Sequence, residues 1–145
     1  MKAHKKSIEE TDSPEKTFAV AFELARRNPE ASFFYLHGDL GAGKTLFTKG
    51  IAAFHDIDPS RVTSPTFALV QRHSGGKRVL YHVDLYHIDD ERELSELGIE
   101  ELEEEGAVLV VEWAEKLGRR LREDGIDVAL EVVGENRRRI TIRCP

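Results

Sequence analysis

The sequence predicts an α/β fold: one domain with a mostly parallel central sheet, antiparallel hairpin additions and flanking helices. Three observations lead there. Short apolar runs, Ser32–Leu36 and Ala107–Val111 foremost, alternate with amphipathic segments at helical spacing. A glycine-rich turn separates the first of these runs from a helical pattern that starts at Lys44. Two further pairs of strand-like runs are each joined by a short glycine-bearing turn.

The elements follow in order. Met1–Glu10 is polar and charged and carries no leader-peptide pattern. Asp12-Ser13-Pro14 opens a helix, because Ser13 is a good cap and Pro14 has no N–H to leave unpaired in the first turn. Phe18, Ala21, Phe22 and Ala25 recur at helical spacing, and Asn28-Pro29 stops the run. Ser32–Leu36 reads as a buried strand, and the Lys44 helix reaches about Phe54. Phe67–Arg72 and Arg78–Tyr86 read as strands joined by Ser74-Gly75-Gly76-Lys77. Glu91–Glu105 reads as acidic helix broken at Gly98, and Glu115–Arg122 as a further helix. Ile126–Val133 and Arg139–Cys144 flank Gly134-Glu135-Asn136 as a closing hairpin. No repeat or linker interrupts the pattern, so residues 1–145 read as a single domain.

Composition narrows the function classes. With 40% hydrophobic and 33% charged residues, the chain is neither disordered nor membrane-spanning. Its one cysteine, Cys144, excludes an intramolecular disulfide framework and a thiolate zinc cluster. Six histidines invite a zinc reading, but no second His/Cys pair at zinc spacing accompanies His82 and Asp84. A cytoplasmic protein with no membrane attachment is the expectation. The net charge of −6 is uneven: Asp89–Glu105 holds ten acids against Arg92, leaving the remainder at +3. Nucleic-acid binding in its own right is disfavoured, since no concentrated basic face is evident.

Gly38-Asp39-Leu40-Gly41-Ala42-Gly43-Lys44-Thr45 satisfies G-x-x-x-x-G-K-[ST] at every fixed position, between a predicted strand and a predicted helix. Glycines allow positive φ and bring backbone N–H groups against phosphate oxygens, and the helix start adds a favourable field. Lys44 is expected to reach the β- and γ-phosphates, and the Thr45 hydroxyl to ligate Mg²⁺. The dinucleotide pattern fails at Leu46. A guanine-reading Asn-Lys-x-Asp is impossible, because neither Asn28 nor Asn136 precedes Lys. The expectation is a P-loop NTPase-like domain taking ATP and Mg²⁺.

Such a site needs a carboxylate at the end of a neighbouring strand. Asp84 and Glu112 each end one, and spacing does not rank them. Glu112 is assigned to Mg²⁺ and Asp84 to the attacking water or the second metal shell, with the roles exchangeable. Thr66, in Ser64-Pro65-Thr66-Phe67, is a candidate γ-phosphate sensor or simply part of a proline turn. Trp113 follows Glu112 and is either core or a nucleotide contact. Catalysis is thus expected of Lys44, Asp84 and Glu112, with nucleotide contacts from residues 38 and 40–45, Thr66 and Trp113.

Four separated stretches together resemble the TsaE (YjeE) family: GDLGAGKT at 38–45, SPTF at 64–67, HVDLY at 82–86 and the pair Glu112-Trp113. The ELGIE run at 96–100 is similar too, and the likeness spans roughly Ser13 to Trp113. It implies a small ATPase that acts with TsaB and TsaD in making N6-threonylcarbamoyladenosine at position 37 of tRNAs reading ANN codons. TsaD would perform the transfer, tRNA would be met through the complex, and hydrolysis would be weak without the partners. The resemblance also gives weight to Thr45, Asp84, Glu112 and Trp113. Leu46 departs from the family's usual second Thr, and His87 stands where an Arg commonly follows DLY. The acidic segment is a candidate docking surface by charge complementarity, or a solvated helix face. A small-molecule kinase and a nucleotide-dependent switch without required hydrolysis are the alternative readings.

Overall fold

The computed structural model describes residues 5–39, 41–64, 69–104 and 106–145. In chain order the elements are β1 (Lys5–Thr11), α1 (Pro14–Arg27), β2 (Phe33–His37), α2 (Lys44–Phe54), β3 (Val70–His73), β4 (Leu80–Asp84), α3 (Glu91–Glu96), α4 (Ile99–Glu104), β5 (Val108–Glu112), β6 (Ile126–Gly134) and β7 (Arg137–Cys144). The strands form one sheet ordered β1-β7-β6-β2-β5-β4-β3. Its four central strands are parallel: β6 with β2, β2 with β5, β5 with β4. The flanks are antiparallel, β7 pairing with β6 and β1 on one side and β3 with β4 on the other.

Period-two alternation in β2 divides the core between the two faces. Phe34 and Leu36 join Val108, Val110, Val128 and Ile140 beneath α1 and α2, where Ala21, Phe47 and Ile51 meet them. Phe33 and Tyr35 join Leu109, Val111 and Val83 on the other face, covered by Leu94 of α3, Ile99 of α4 and Leu117. β5 is buried at all five positions, as a strand flanked by parallel neighbours and covered on both faces should be. α1 starts as its sequence indicates: the Ser13 hydroxyl accepts the Lys16 N–H at 3.2 Å, with Pro14 in the first turn.

Three expectations need correction. β1 carries no strand signal because six of its seven residues are exposed, and the strand is held by backbone pairing with β7, with the buried Thr11 hydroxyl bonded to that of Thr17 at its end. The expected helix at Glu115–Arg122 is a 3-10 segment, Ala114–Arg120, kinked where Gly118 adopts φ 55°. The second strand of the first hairpin, predicted over Arg78–Tyr86, is shorter, with β4 covering Leu80–Asp84. β3 covers Val70–His73, and Phe67 and Ala68 of the predicted first strand lie outside the described residues. The acidic helices are partly neutralised within the molecule: Arg120 of the 3-10 segment binds Glu91 and Glu100, and Arg122 reaches Glu103. Among the described residues, no helix is long and apolar enough to cross a membrane.

Candidate nucleotide site

β2, β5 and β4 run side by side in one direction, so their carboxyl ends share an edge, the place where open α/β sheets bind ligands. Along it His37 leads into the glycine loop, Glu112 closes β5 and Asp84 closes β4. Leu36 is in register with Glu112, and Glu112 with Asp84. The two acids that spacing left unranked are therefore neighbours on adjacent strands, on the face that carries α2.

The loop is shaped by its glycines. At Gly38 (φ 150°) an added Cβ would lie 2.6 Å from the Leu130 carbonyl oxygen, so no side chain fits. Gly43, at φ 105°, is the cap residue of α2 and contributes no capping side chain, which leaves the first amides of that helix uncapped by it. Ala42 is buried and donates its N–H to Asp39 O at 3.0 Å, and Gly41 is exposed at φ 83°. Arg138 of β7 fastens the loop from outside, its guanidinium donating to Ala42 O at 3.0 Å and Gly41 O at 3.4 Å. Leu40 and Thr66 lie outside the described residues.

Lys44 is buried (7% exposed) in the first turn of α2, and its ammonium donates to Gly38 O at 2.7 Å. It stands 3.7 Å from Glu112 Oε1 and 5.2 Å from the centre of the Trp113 ring. Glu112 is itself buried, and its other oxygen, Oε2, meets Nε2 of the fully buried His82 at 2.6 Å. Asp84 is half-buried and accepts the Tyr86 N–H at 2.9 Å through Oδ1. Trp113 takes a left-handed backbone (φ 60°), and the exposed Tyr86 ring packs against it at 5.2 Å. Lys116 holds that corner by donating to the carbonyls of Tyr86 and Ile88 at 2.6 and 2.8 Å. Thr45 is half-buried beside Lys44.

A cavity of about 160 Å³ opens here, lined by His37, Gly38, Asp39, Lys44, Trp113 and Glu115 among others. At its rim His37 bridges Asp127 (3.3 Å) and Glu115 (3.5 Å). The hydrogen bond to Asp127 is the main reason its imidazole is held above the usual histidine range, burial working against it. The available ligand atoms at Thr45, Asp84 and Glu112 are all oxygens, a hard set of the kind magnesium takes. Among the described residues, no three His, Cys, Asp or Glu side chains form a metal cluster. A site here would draw on the Thr45 hydroxyl and a ligand's own oxygens beside two carboxylates, which is the usual manner of magnesium.

Of the sequence-predicted residues, Gly38, Gly41, Ala42, Gly43, Lys44, Thr45, Asp84, Glu112 and Trp113 come together at this edge. Sequence reasoning fixed no role for two contributors, although it read His82 as a strand-face residue near the phosphates and Arg137–Arg139 as a guessed nucleotide contact. Arg138 was one of three consecutive arginines with nothing to single it out, since its role comes from pairing β7 beside the loop. His82 had a faint signal: it is a polar residue inside an apolar strand, two positions before Asp84 and so on the same side.

Comparison with known proteins gives the family. Residues 11–140 match the model of a family described as threonylcarbamoyl adenosine biosynthesis protein TsaE. The chain belongs to the TsaE family. Among curated TsaE relatives, a Bacillus subtilis protein is 37% identical over 131 residues, covering 90% of this chain and 81% of its own. An Aquifex aeolicus relative is 37% identical over 132 residues, covering 90% of this chain and 91% of its own. Both carry the description tRNA threonylcarbamoyladenosine biosynthesis protein TsaE. The crystal structure of Bacillus subtilis YdiB superposes with a TM-score of 0.78 at 29% identity, over 99% of this chain and 88% of that one. The fold of that protein is therefore shared along essentially the whole chain.

Proposed function

We propose that this chain is a cytoplasmic ATP-binding and ATP-hydrolysing subunit of tRNA threonylcarbamoyladenosine biosynthesis, acting with TsaB and TsaD. Family membership supports the pathway. One observation carries the chemistry: a buried lysine at the mouth of a glycine loop stands 3.7 Å from a strand-end carboxylate that has a second carboxylate in register beside it.

In this reading the loop amides and the start of α2 bind the phosphates, and Lys44 exchanges Gly38 O for phosphate oxygens. Thr45, Asp84 and Glu112 are the residues that would hold Mg²⁺, which when bound neutralises phosphate charge and orients its oxygens. The carboxylate that does not hold the metal orients the attacking water. Trp113 and Tyr86 wall the phosphate end against bulk water. On the other side of the loop a hollow lined by Ser13, Pro14, Thr17, Gly43, Asn136 and Arg138 runs to the start of α1, and we assign the nucleoside end to it.

The kinase reading is weaker. A kinase needs a mobile lid, and the segment available for one, α3–α4, sends Leu94 and Ile99 into the core and is stapled down by Arg120. A switch without hydrolysis shares the same binding site and differs only in turnover. The test is calorimetry of ATP and ADP with magnesium, followed by ATP turnover of the chain alone, with candidate small-molecule acceptors, and with TsaB, TsaD and tRNA. We expect nucleotide binding lost in Lys44→Ala and turnover that rises when the partners are added. Failure of the wild-type chain to take up adenine nucleotide, alone or with its partners, refutes the proposal.

A further inference from the structure

His82 sits in β4 with no solvent exposure, a position where valine or leucine would fill space without a desolvation cost. Among the described residues its imidazole has one hydrogen-bond partner, Glu112 Oε2 at 2.6 Å, while Nδ1 is buried with none. A carboxylate can only accept, so the short contact places a proton on Nε2, while Nδ1 faces no partner among the described residues. A buried polar ring that satisfies only half of its capacity is poor packing, and such groups in folded proteins call for a functional explanation. Register supplies the geometry. His82 pairs with Val110, and Glu112 is two residues further along β5, so the imidazole meets the carboxylate diagonally on the α2 face.

We propose that His82 is a positioning residue: it holds Glu112 Oε2 so that Oε1 is directed at Lys44 and the glycine loop. This rests on the nucleotide reading above and adds to it the residue that fixes the carboxylate's orientation. Glu112 has two oxygens and two neighbours, His82 on one and Lys44 on the other. With the imidazole gone, Lys44 is the neighbour that remains among the described residues, and since either oxygen can face its ammonium the carboxylate is free to turn about its last side-chain bond. Hydrogen-bond partners behind a metal ligand commonly change metal affinity by about ten- to a hundredfold when removed.

The test compares the wild-type chain with His82→Gln, His82→Asn and His82→Phe. The glutamine amide nitrogen reaches the place of Nε2, the asparagine amide falls short of it, and phenylalanine keeps the ring without a donor. ADP affinity is measured by calorimetry in EDTA and across a magnesium series, and bound Mn²⁺ is counted by electron paramagnetic resonance. We expect His82→Phe and His82→Asn to raise the metal concentration for half-saturation about ten- to a hundredfold. Affinity in EDTA should stay within about threefold, and His82→Gln should remain near wild type in both measurements. Equal metal dependence in all four proteins, or a glutamine variant as impaired as the phenylalanine one, overturns the role of His82. Should His82→Phe fail to fold, judged by circular dichroism and melting, the glutamine–asparagine pair decides alone. A wild-type chain that takes up no ADP in either condition refutes the nucleotide site itself, a result distinct from unchanged metal dependence.

Discussion

Replacing Glu112 with glutamine should have two effects of opposite sign. Lys44 is 7% exposed, and Glu112 Oε1, 3.7 Å away, is the counter-charge that the described residues give it. At an effective dielectric constant of about 20, unit charges at that separation attract by roughly 4–5 kcal/mol. The Gly38 carbonyl, 2.7 Å from the ammonium, remains as a partner in the variant, and relaxation recovers part of the loss. We therefore expect Glu112→Gln to lower folding stability by about 2–3 kcal/mol, near the lower end for breaking a buried pair. For a chain of 145 residues this is a fall in Tm of about 6–10 °C.

Binding of nucleotide without metal should improve. The same substitution removes a negative charge from beneath the phosphate cradle and leaves an ammonium without its carboxylate. About a tenfold gain in ADP affinity in EDTA is expected, corresponding to roughly 1.4 kcal/mol. Magnesium should then add little, and turnover should fall by about a hundredfold or more if Glu112 serves the chemistry. Thermal melts with and without ADP, and calorimetry in EDTA, measure both effects. A variant as stable as wild type with unchanged ADP affinity would show that Lys44 and Glu112 are not coupled, and the electrostatic account of the site would fail.

Other perturbations separate the loop from its supports. Arg138→Ala frees the carbonyls of Ala42 and Gly41 and should weaken ADP binding about five- to tenfold with little change in Tm, read by calorimetry beside a melt. Arg78 donates to the carbonyls of Pro29, Ala31, Gly106 and Ala107 and to the Ser32 hydroxyl, tying β4 to the loops before β2 and β5 at the end away from the site. Arg78→Ala should cost about 2–3 kcal/mol in urea unfolding and leave ADP affinity of the folded protein unchanged. His55 is buried, and desolvation, assisted by the Arg78 charge, lowers its pKa from 6.5 to about 4. Below pH 6.5 the unfolded chain takes up a proton that the folded one refuses, so stability falls as pH drops toward 4. Between pH 6.5 and 5 the loss should be about 1.5 kcal/mol, and it should vanish from the pH dependence of His55→Phe in urea titrations.

What could be read from the sequence follows the range of the interactions responsible. The loop, its helix and the buried strand β5 are announced locally, by glycines at fixed spacing, a cap at Ser13 and an unbroken apolar run. β1 was invisible because its register with β7 spans most of the chain and exposes Ile8 beside lysines and glutamates. Asp84 and Glu112 were both recognisable as strand ends, yet that they are neighbours depends on β4 pairing directly with β5, which spacing along the chain does not encode. The 3-10 turn after Trp113 was mistaken for helix because Glu115–Arg122 has helical composition, while the kink at Gly118 breaks its continuity.

The same long-range pairings govern how nucleotide would enter. The charged side chains at the site already have internal partners: Lys44 is held by Gly38 O and Glu112, and Glu112 by Lys44 and His82. The outward side of the loop is held as well, by Arg138. Binding is then an exchange of contacts, and the free energy available is the difference between two sets of charge-assisted bonds. Such a site discriminates strongly for an anion able to replace both partners of Lys44, and weakly against its own resting arrangement. A partner that shifts β4, β5 or the Tyr86–Trp113 corner would act on this balance without touching the nucleotide, because Glu112 reads the position of both strands through His82. In the proposed function, that coupling is the route by which a docked protein would control turnover.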